Sequence, residues 1–210
     1  MPRSLLLSLL VYVLLPPLLL GGCSLGRQHP PTRLYVLTPL PQSERASQRI
    51  LTGDGAIGVG PVEFPQYTNR PQIVTGNTNS ELGRAVFAQW AEPLDGNFAR
   101  VLAENLSLLL ATDQVVVFPW LGPMPITYQV IVEVTQFLGE LGGQVSLEAR
   151  WSVVAKNGTA VLVTKRASFT ESVGGQDYQA LTAALSRTVA ALSRDIATTI
   201  ATLASTPTQR

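Results

Sequence analysis

The segment from Thr127 to Phe169 constrains the fold more than any other, because its apolar residues alternate with polar ones almost without interruption. Tyr128, Val130, Val132 and Val134 fall on one side of an extended chain, and Gln129, Ile131, Glu133 and Thr135 on the other. After a Gly139–Gly143 turn the same period returns in Val145, Leu147, Ala149, Trp151 and Val153. Asn157-Gly158 is then a hairpin dipeptide ahead of a third run, Ala160 to Phe169, because both residues accept the positive φ that a type I′ turn needs. A period of two over three such runs predicts a three-strand antiparallel meander with one buried face.

Two helices are predicted to supply the cover. From Pro93 to about Leu110, the residues Leu94, Phe98, Val101, Leu102, Leu106, Leu109 and Leu110 recur at steps of three and four, which gathers them on one helical face. Pro93 suits a first helical position and Asp95 suits a first turn, where it opposes the helix dipole. Arg100 and Glu104 form an outward pair one turn apart. A longer helix runs from about Asp177 to Leu203, with Tyr178, Leu181, Leu185, Val189, Leu192, Ile196, Ile200 and Leu203 as its stripe. Two uses of that stripe stay open: a helix laid across its own sheet, or a coiled-coil-like seam with a second copy, which the nearly heptad spacing permits. Shorter strands are expected at Arg33–Thr38, Ala56–Val62, Pro71–Thr75, Ala85–Trp90 and Val115–Pro119. The glycines and Pro61 mark the second as an edge or a bulge, and the last reads as buried. Pro39–Gly55 reads as a surface loop and Gly76–Ser80 as turn-rich. The fold class is α+β: an antiparallel or mixed sheet containing the meander, with two amphipathic helices packed on one face.

The N-terminus says where such a domain works. One basic residue, Arg3, precedes a leucine-rich run and then Leu20-Gly21-Gly22-Cys23, the three-part layout of a cleaved signal peptide. Small residues before a cysteine form a lipobox, in which the thiol is thioether-linked to diacylglycerol. A membrane-spanning helix fits poorly, since Leu5–Leu20 falls short of the roughly 20 residues a span needs and Pro16-Pro17 interrupts it. Residues 1–22 are therefore the signal, Cys23 is the lipidation site, 23–32 is a lipidated tether stiffened by Pro30-Pro31, and 33–210 is a single domain. The absence of Asp at Ser24 favours the outer membrane, and several acyl chains anchor far better than one. Cys23 is the sole cysteine, so once it is lipidated the fold rests on its core without disulfides.

Composition narrows the chemistry. Removing residues 1–22 leaves 188 of the 210, with 14 basic residues after the loss of Arg3 against 14 acidic. That balance gives no basic stripe for nucleic acid. A charged fraction of 14% lies below the usual quarter, which points to some surface covered by a partner or a membrane. The one histidine, His29, sits in the tether beside prolines, a poor place for a positioned base. With no spare cysteine, zinc sites and Cys/His catalysis are excluded. Glu133, Glu140 and Glu148 lie near the meander, where alternation turns them outward as solvated charge rather than into a glycosidase pair. Catalytic residues, cofactors and metals are expected to be absent.

Val59-Gly-Pro-Val-Glu-Phe-Pro-Gln-Tyr-Thr-Asn-Arg-Pro-Gln-Ile-Val-Thr75 and Trp90-Ala-Glu-Pro-Leu-Asp-Gly-Asn-Phe-Ala-Arg-Val-Leu-Ala-Glu-Asn-Leu106 resemble a known family. It is the ABC-type transport auxiliary lipoprotein family, which includes PqiC-like intermembrane transport lipoproteins. Arg-Pro-Gln-Ile-Val and Trp-Ala-Glu-Pro-Leu are the specific parts, and the likeness runs from about Leu34 into the C-terminal helix. Gly96 departs from the bulkier residue expected there, which weakens the first helical turn. The resemblance implies an accessory lipoprotein on the inner leaflet of the outer membrane. It implies an MCE-domain protein of an inner-membrane ABC-type transporter as partner, with lipid as the cargo, and it carries over no catalytic residue. A structural envelope lipoprotein without lipid cargo is the alternative, and homo-oligomerisation stays open.

Overall fold

The computed structural model describes residues 30–50, 55–76, 81–120, 122, 124–155 and 159–205. The signal segment and Cys23, the tether as far as His29, and the Asn157-Gly158 turn lie outside them. Thr32–Arg210 forms one compact unit.

Its backbone is a five-stranded mixed sheet in the order β5-β2-β6-β7-β8, with a three-stranded sheet in the order β1-β4-β3. The strands of the larger sheet are β2 (Ala56–Glu63), β5 (Val115–Val117), β6 (Ile126–Gly139), β7 (Gln144–Ala155) and β8 (Ala160–Ser172). The smaller sheet has β1 (Arg33–Tyr35), β3 (Gln72–Gly76) and β4 (Leu82–Trp90). The expected meander is β6-β7-β8, antiparallel throughout, with Val130 facing Val153 and Glu133 facing Arg150.

Alternation sorts its faces. Val130, Val132, Val134, Leu147, Ala149, Trp151 and Val153 are all buried. A register shift between Val134 and Gln136 reverses the phase at the end of β6, so Phe137 turns inward where strict alternation would send it out. Helices α1 (Leu94–Leu109) and α2 (Tyr178–Ser205) both cover this one face. Phe98, Val101, Leu102 and Leu106 of α1 and Leu181, Leu185, Val189, Leu192, Ile196 and Ile200 of α2 join the strands in a single buried cluster. The α2 stripe is thus laid on its own sheet. Asp177 caps the helix, its carboxylate accepting the Ala180 N–H at 2.8 Å, one of the donors a helix start leaves unpaired. Phe64, Phe98 and Phe137 meet edge to face at 5.2–5.8 Å between ring centroids, the arrangement aromatic quadrupoles favour.

One open alternative is decided and two expectations are corrected. Strand β2 is no edge, because it pairs in parallel with both β5 and β6. The bulge half of that reading stands, with a register shift between Val59 and Val62 around Pro61, a position where a missing N–H is tolerated. Strand β5 is only half-buried, being the sheet's edge. Strand β1 stops at Tyr35, because the next N–H groups have partners other than a ladder.

Those partners are side chains of the helices. Leu37 N–H donates to Asn97 Oδ1 at 2.7 Å, Thr38 N–H to Ser186 Oγ at 3.1 Å and Leu40 N–H to Asn105 Oδ1 at 2.7 Å. An extended strap, Val36–Leu40, is thereby held across both helices. The loop beyond it closes the end of α1, as Ala46 N–H reaches Leu108 O at 3.0 Å and Ile50 N–H reaches Leu110 O at 3.2 Å.

Candidate functional site

The segments Val62–Pro71 and Trp90–Asp95 face each other across an open groove of about 650 Å³. The first leaves β2 through a 3₁₀ turn, Gln66–Thr68, in which Thr68 Oγ1 donates to Pro65 O at 2.7 Å. It returns into β3, where Trp90 N–H bonds Pro71 O at 2.7 Å and ties the two walls together. The second leaves β4 and enters α1 behind Pro93. Pro65, Pro71 and Pro93 on the walls present no N–H and hold φ fixed, and each of their carbonyls accepts a backbone N–H, from Thr68, Trp90 and Asn97 in turn, so the groove's edges are stiff.

Its floor is apolar and its rim acidic. Trp90 and Leu94 are buried and Phe64 half-buried, whereas Glu63, Gln66, Asn69, Arg70 and Asp95 stand exposed. Glu92 is held in place: its Oε1 accepts from Arg100 Nη2 at 2.6 Å and from Asn97 Nδ2 at 2.7 Å. Hydrogen bonds to Glu92 and Glu104 keep the Arg100 guanidinium still more firmly charged. Through Asn97, which also captures Leu37, the rim is joined by one hydrogen-bonded path to the strap that continues β1. In the 3₁₀ turn, burial pushes the Tyr67 phenol up, helped by the negative charge of Glu148 and opposed by a main-chain hydrogen bond at Phe137.

Such a groove can grip a peptide segment by its apolar floor and acidic rim, but it aligns no nucleophile with a base. Glu133 is ion-paired to Arg150, with Arg150 Nε donating to its Oε2 at 3.0 Å, and Glu148 and Glu140 are exposed. Among the described residues no three His, Cys, Asp or Glu are grouped to hold a metal. Among them also, no helix is long and apolar enough to cross a membrane. Cys23 lies outside the described residues. Asn97 and Asn105 were not singled out from the sequence. Their signal is a pair of amides eight residues apart, each preceding an apolar stripe residue, Phe98 and Leu106, and each buried.

The described residues form a two-layer α+β domain with a proline-walled groove at one end of its small sheet. The sequence model of the ABC-type transport auxiliary lipoprotein component matches residues 35–197, and the chain belongs to that family. Both walls of the groove fall inside the match. The fold is similar to that of a crystal structure described as an uncharacterized protein, with TM-score 0.65 and 21% identity over 81% of this chain and 99% of that one. It is similar also to protein XCC0632 from Xanthomonas campestris, of family DUF330, with TM-score 0.60 and 15% identity over 81% and 97% of the two chains. No curated protein matches the sequence.

Proposed function

We propose that this chain is the outer-membrane-anchored accessory lipoprotein of an ABC-type system that moves lipid between the two membranes. Its partner in this reading is an MCE-domain protein, and the groove is where that partner docks. The observation that carries the reading is the meeting of the two family-specific segments, Arg70–Val74 and Trp90–Leu94, at one groove. Neither segment is needed there for chemistry, so a shared binding surface is the economical account of both. The chain's part is positional: the space between sheet and helices is filled by side chains such as Trp151, Phe98 and Leu147, each less than 2% exposed, so the lipid path belongs to the partner.

The test is photo-crosslinking in intact cells from Gln66 and Pro93 on the groove, with Ser168 on the open sheet face as control. Capture of an MCE-domain protein from the groove positions alone is the expected result. No such capture, together with an unchanged lipid composition and permeability barrier in a deletion strain, would leave a structural envelope lipoprotein without lipid cargo.

A further inference from the structure

Among the described residues, four of the eight exposed large hydrophobics belong to the small sheet or the residue beside it: Leu34 at 64% exposure, Val36 at 42%, Leu82 at 44% and Val86 at 73%. Their placement is directional. Strand β1 pairs in parallel with only the last three residues of β4, Arg33 facing Ala88 and Tyr35 facing Trp90. Residues Leu82–Phe87 therefore run past the start of β1, on the side from which the preceding chain arrives. Leu82–Arg84 pair there with Gly76–Val74 of β3, a register shift follows before Gln89 meets Gln72, and Ala85 beside that shift is buried in the core. The result is a short two-stranded arm with exposed Leu82, Arg84 and Val86, projecting beyond the start of β1.

We infer that this arm lies on the phospholipid surface to which Cys23 tethers the domain, with Leu34, Leu82 and Val86 in the interfacial layer. The inference rests on the reading of Cys23 as lipidated. Ten residues, 23–32, span at most about 35 Å, so the surface is never far from β1, and the arm projects from the same end of that strand. Isolated apolar side chains at the interface add binding in proportion to the area they bury, and nearby cations add attraction to anionic headgroups. Arg33 and Arg84 flank the patch against the single carboxylate of Glu81, all three exposed. The arm thereby gives the tethered domain a fixed orientation, with the groove turned toward the space between the membranes.

The test uses the full-length lipoprotein, purified with its lipid and reconstituted into vesicles of phosphatidylethanolamine and phosphatidylglycerol. With Cys23 acylated, Leu82→Cys, Val86→Cys and, on the open sheet face, Ser168→Cys each supply one thiol for a nitroxide. The arm labels are expected to collide several-fold more with oxygen, relative to a water-soluble nickel complex, than the Ser168→Cys label does. Equal ratios at all sites on vesicle-bound protein would overturn the docking and leave the anchor standing. Immobilised arm labels without oxygen preference would put a protein partner or a second copy there, which also overturns it. Protein that separates from the vesicles would remove the Cys23 anchor, and the inference with it. Should one arm variant fail to fold, Leu34→Cys takes its place.

Discussion

The side-chain amide of Asn105 on α1 accepts the backbone N–H of Leu40 at 2.7 Å, in a place from which water is excluded. The same amide donates to Ser193 Oγ on α2 at 3.0 Å, so one residue ties the strap to both helices. Asn105→Ala orphans a buried donor and is expected to lower stability by about 1–3 kcal/mol. Urea unfolding measures it; a loss of a few tenths would show that the strap is held by other contacts.

Leu185→Asp and Leu192→Asp each place an unpaired charge where the wild-type side chain is 1% or less exposed. The expected cost is several kcal/mol against a total stability of about 5–15 kcal/mol. Thermal melting should show loss of the cooperative transition. Unchanged melting with a changed mass in solution would mean the stripe serves a second copy instead.

A Cβ built on Gly58 would lie 2.8 Å from Trp120 Cζ3. The aromatic pair Phe118 and Trp120, 5.3 Å apart, sits over β2 only because glycine leaves room. Gly58→Ala is expected to displace the indole and to lower stability by about 1–3 kcal/mol. Comparing Gly58→Ala in the wild-type and Trp120→Leu backgrounds checks this, since the cost should shrink when the ring is gone.

Burial raises the Tyr67 phenol above the usual tyrosine value and does the same to Tyr178. A raised value means the folded state favours the neutral phenol. That stability is fully present below about pH 10, where the unfolded chain also keeps its proton, and is lost as pH climbs through the folded-state value. Unfolding followed above pH 10 should show the loss, and Tyr67→Phe should reduce it. An identical alkaline slope in that variant would contradict the assignment.

Cys23→Ser is expected to yield an unprocessed precursor without acyl chains, read by mass and by palmitate labelling. Label persisting in the variant would place the anchor elsewhere.

The meander could be read from sequence because its period survives almost unbroken from Tyr128 to Val153, and the helices because their stripes keep strict steps of three and four. The failures have a common physical origin in pairings between distant residues. Nothing local in Arg33–Tyr35 says that it will lie beside Ala88–Trp90, and nothing in Ala56–Val62 says that it will be flanked by Val115 and Val130. The β-branched and aromatic content of Arg33–Thr38 looks like a strand throughout, whereas the donors of Leu37 and Thr38 are captured by Asn97 and Ser186, far along the chain. The groove was half legible: both walls stood out as segments, but only the fold sets them opposite each other.

The position of β2 has a consequence for how the chain comes to be folded. Both its ladders are non-local, Ile57 to Val115 and Val59 to Val130, and such contacts form late because long loops must close first. A chain made from its N-terminus holds Ala56–Val62 without either neighbour until Val115–Val117 exists, and without the second until residues beyond Val130 exist. An unpaired apolar strand is an invitation to intermolecular pairing, and segments of that kind are guarded by glycine, proline or charge. Gly58, Gly60 and Pro61 stand within it. They seat Trp120 and form the bulge in the finished protein, and in the waiting chain they make this strand a poor template for aggregation. Replacing all three by valine should therefore harm the yield of refolding at high protein concentration more than at high dilution.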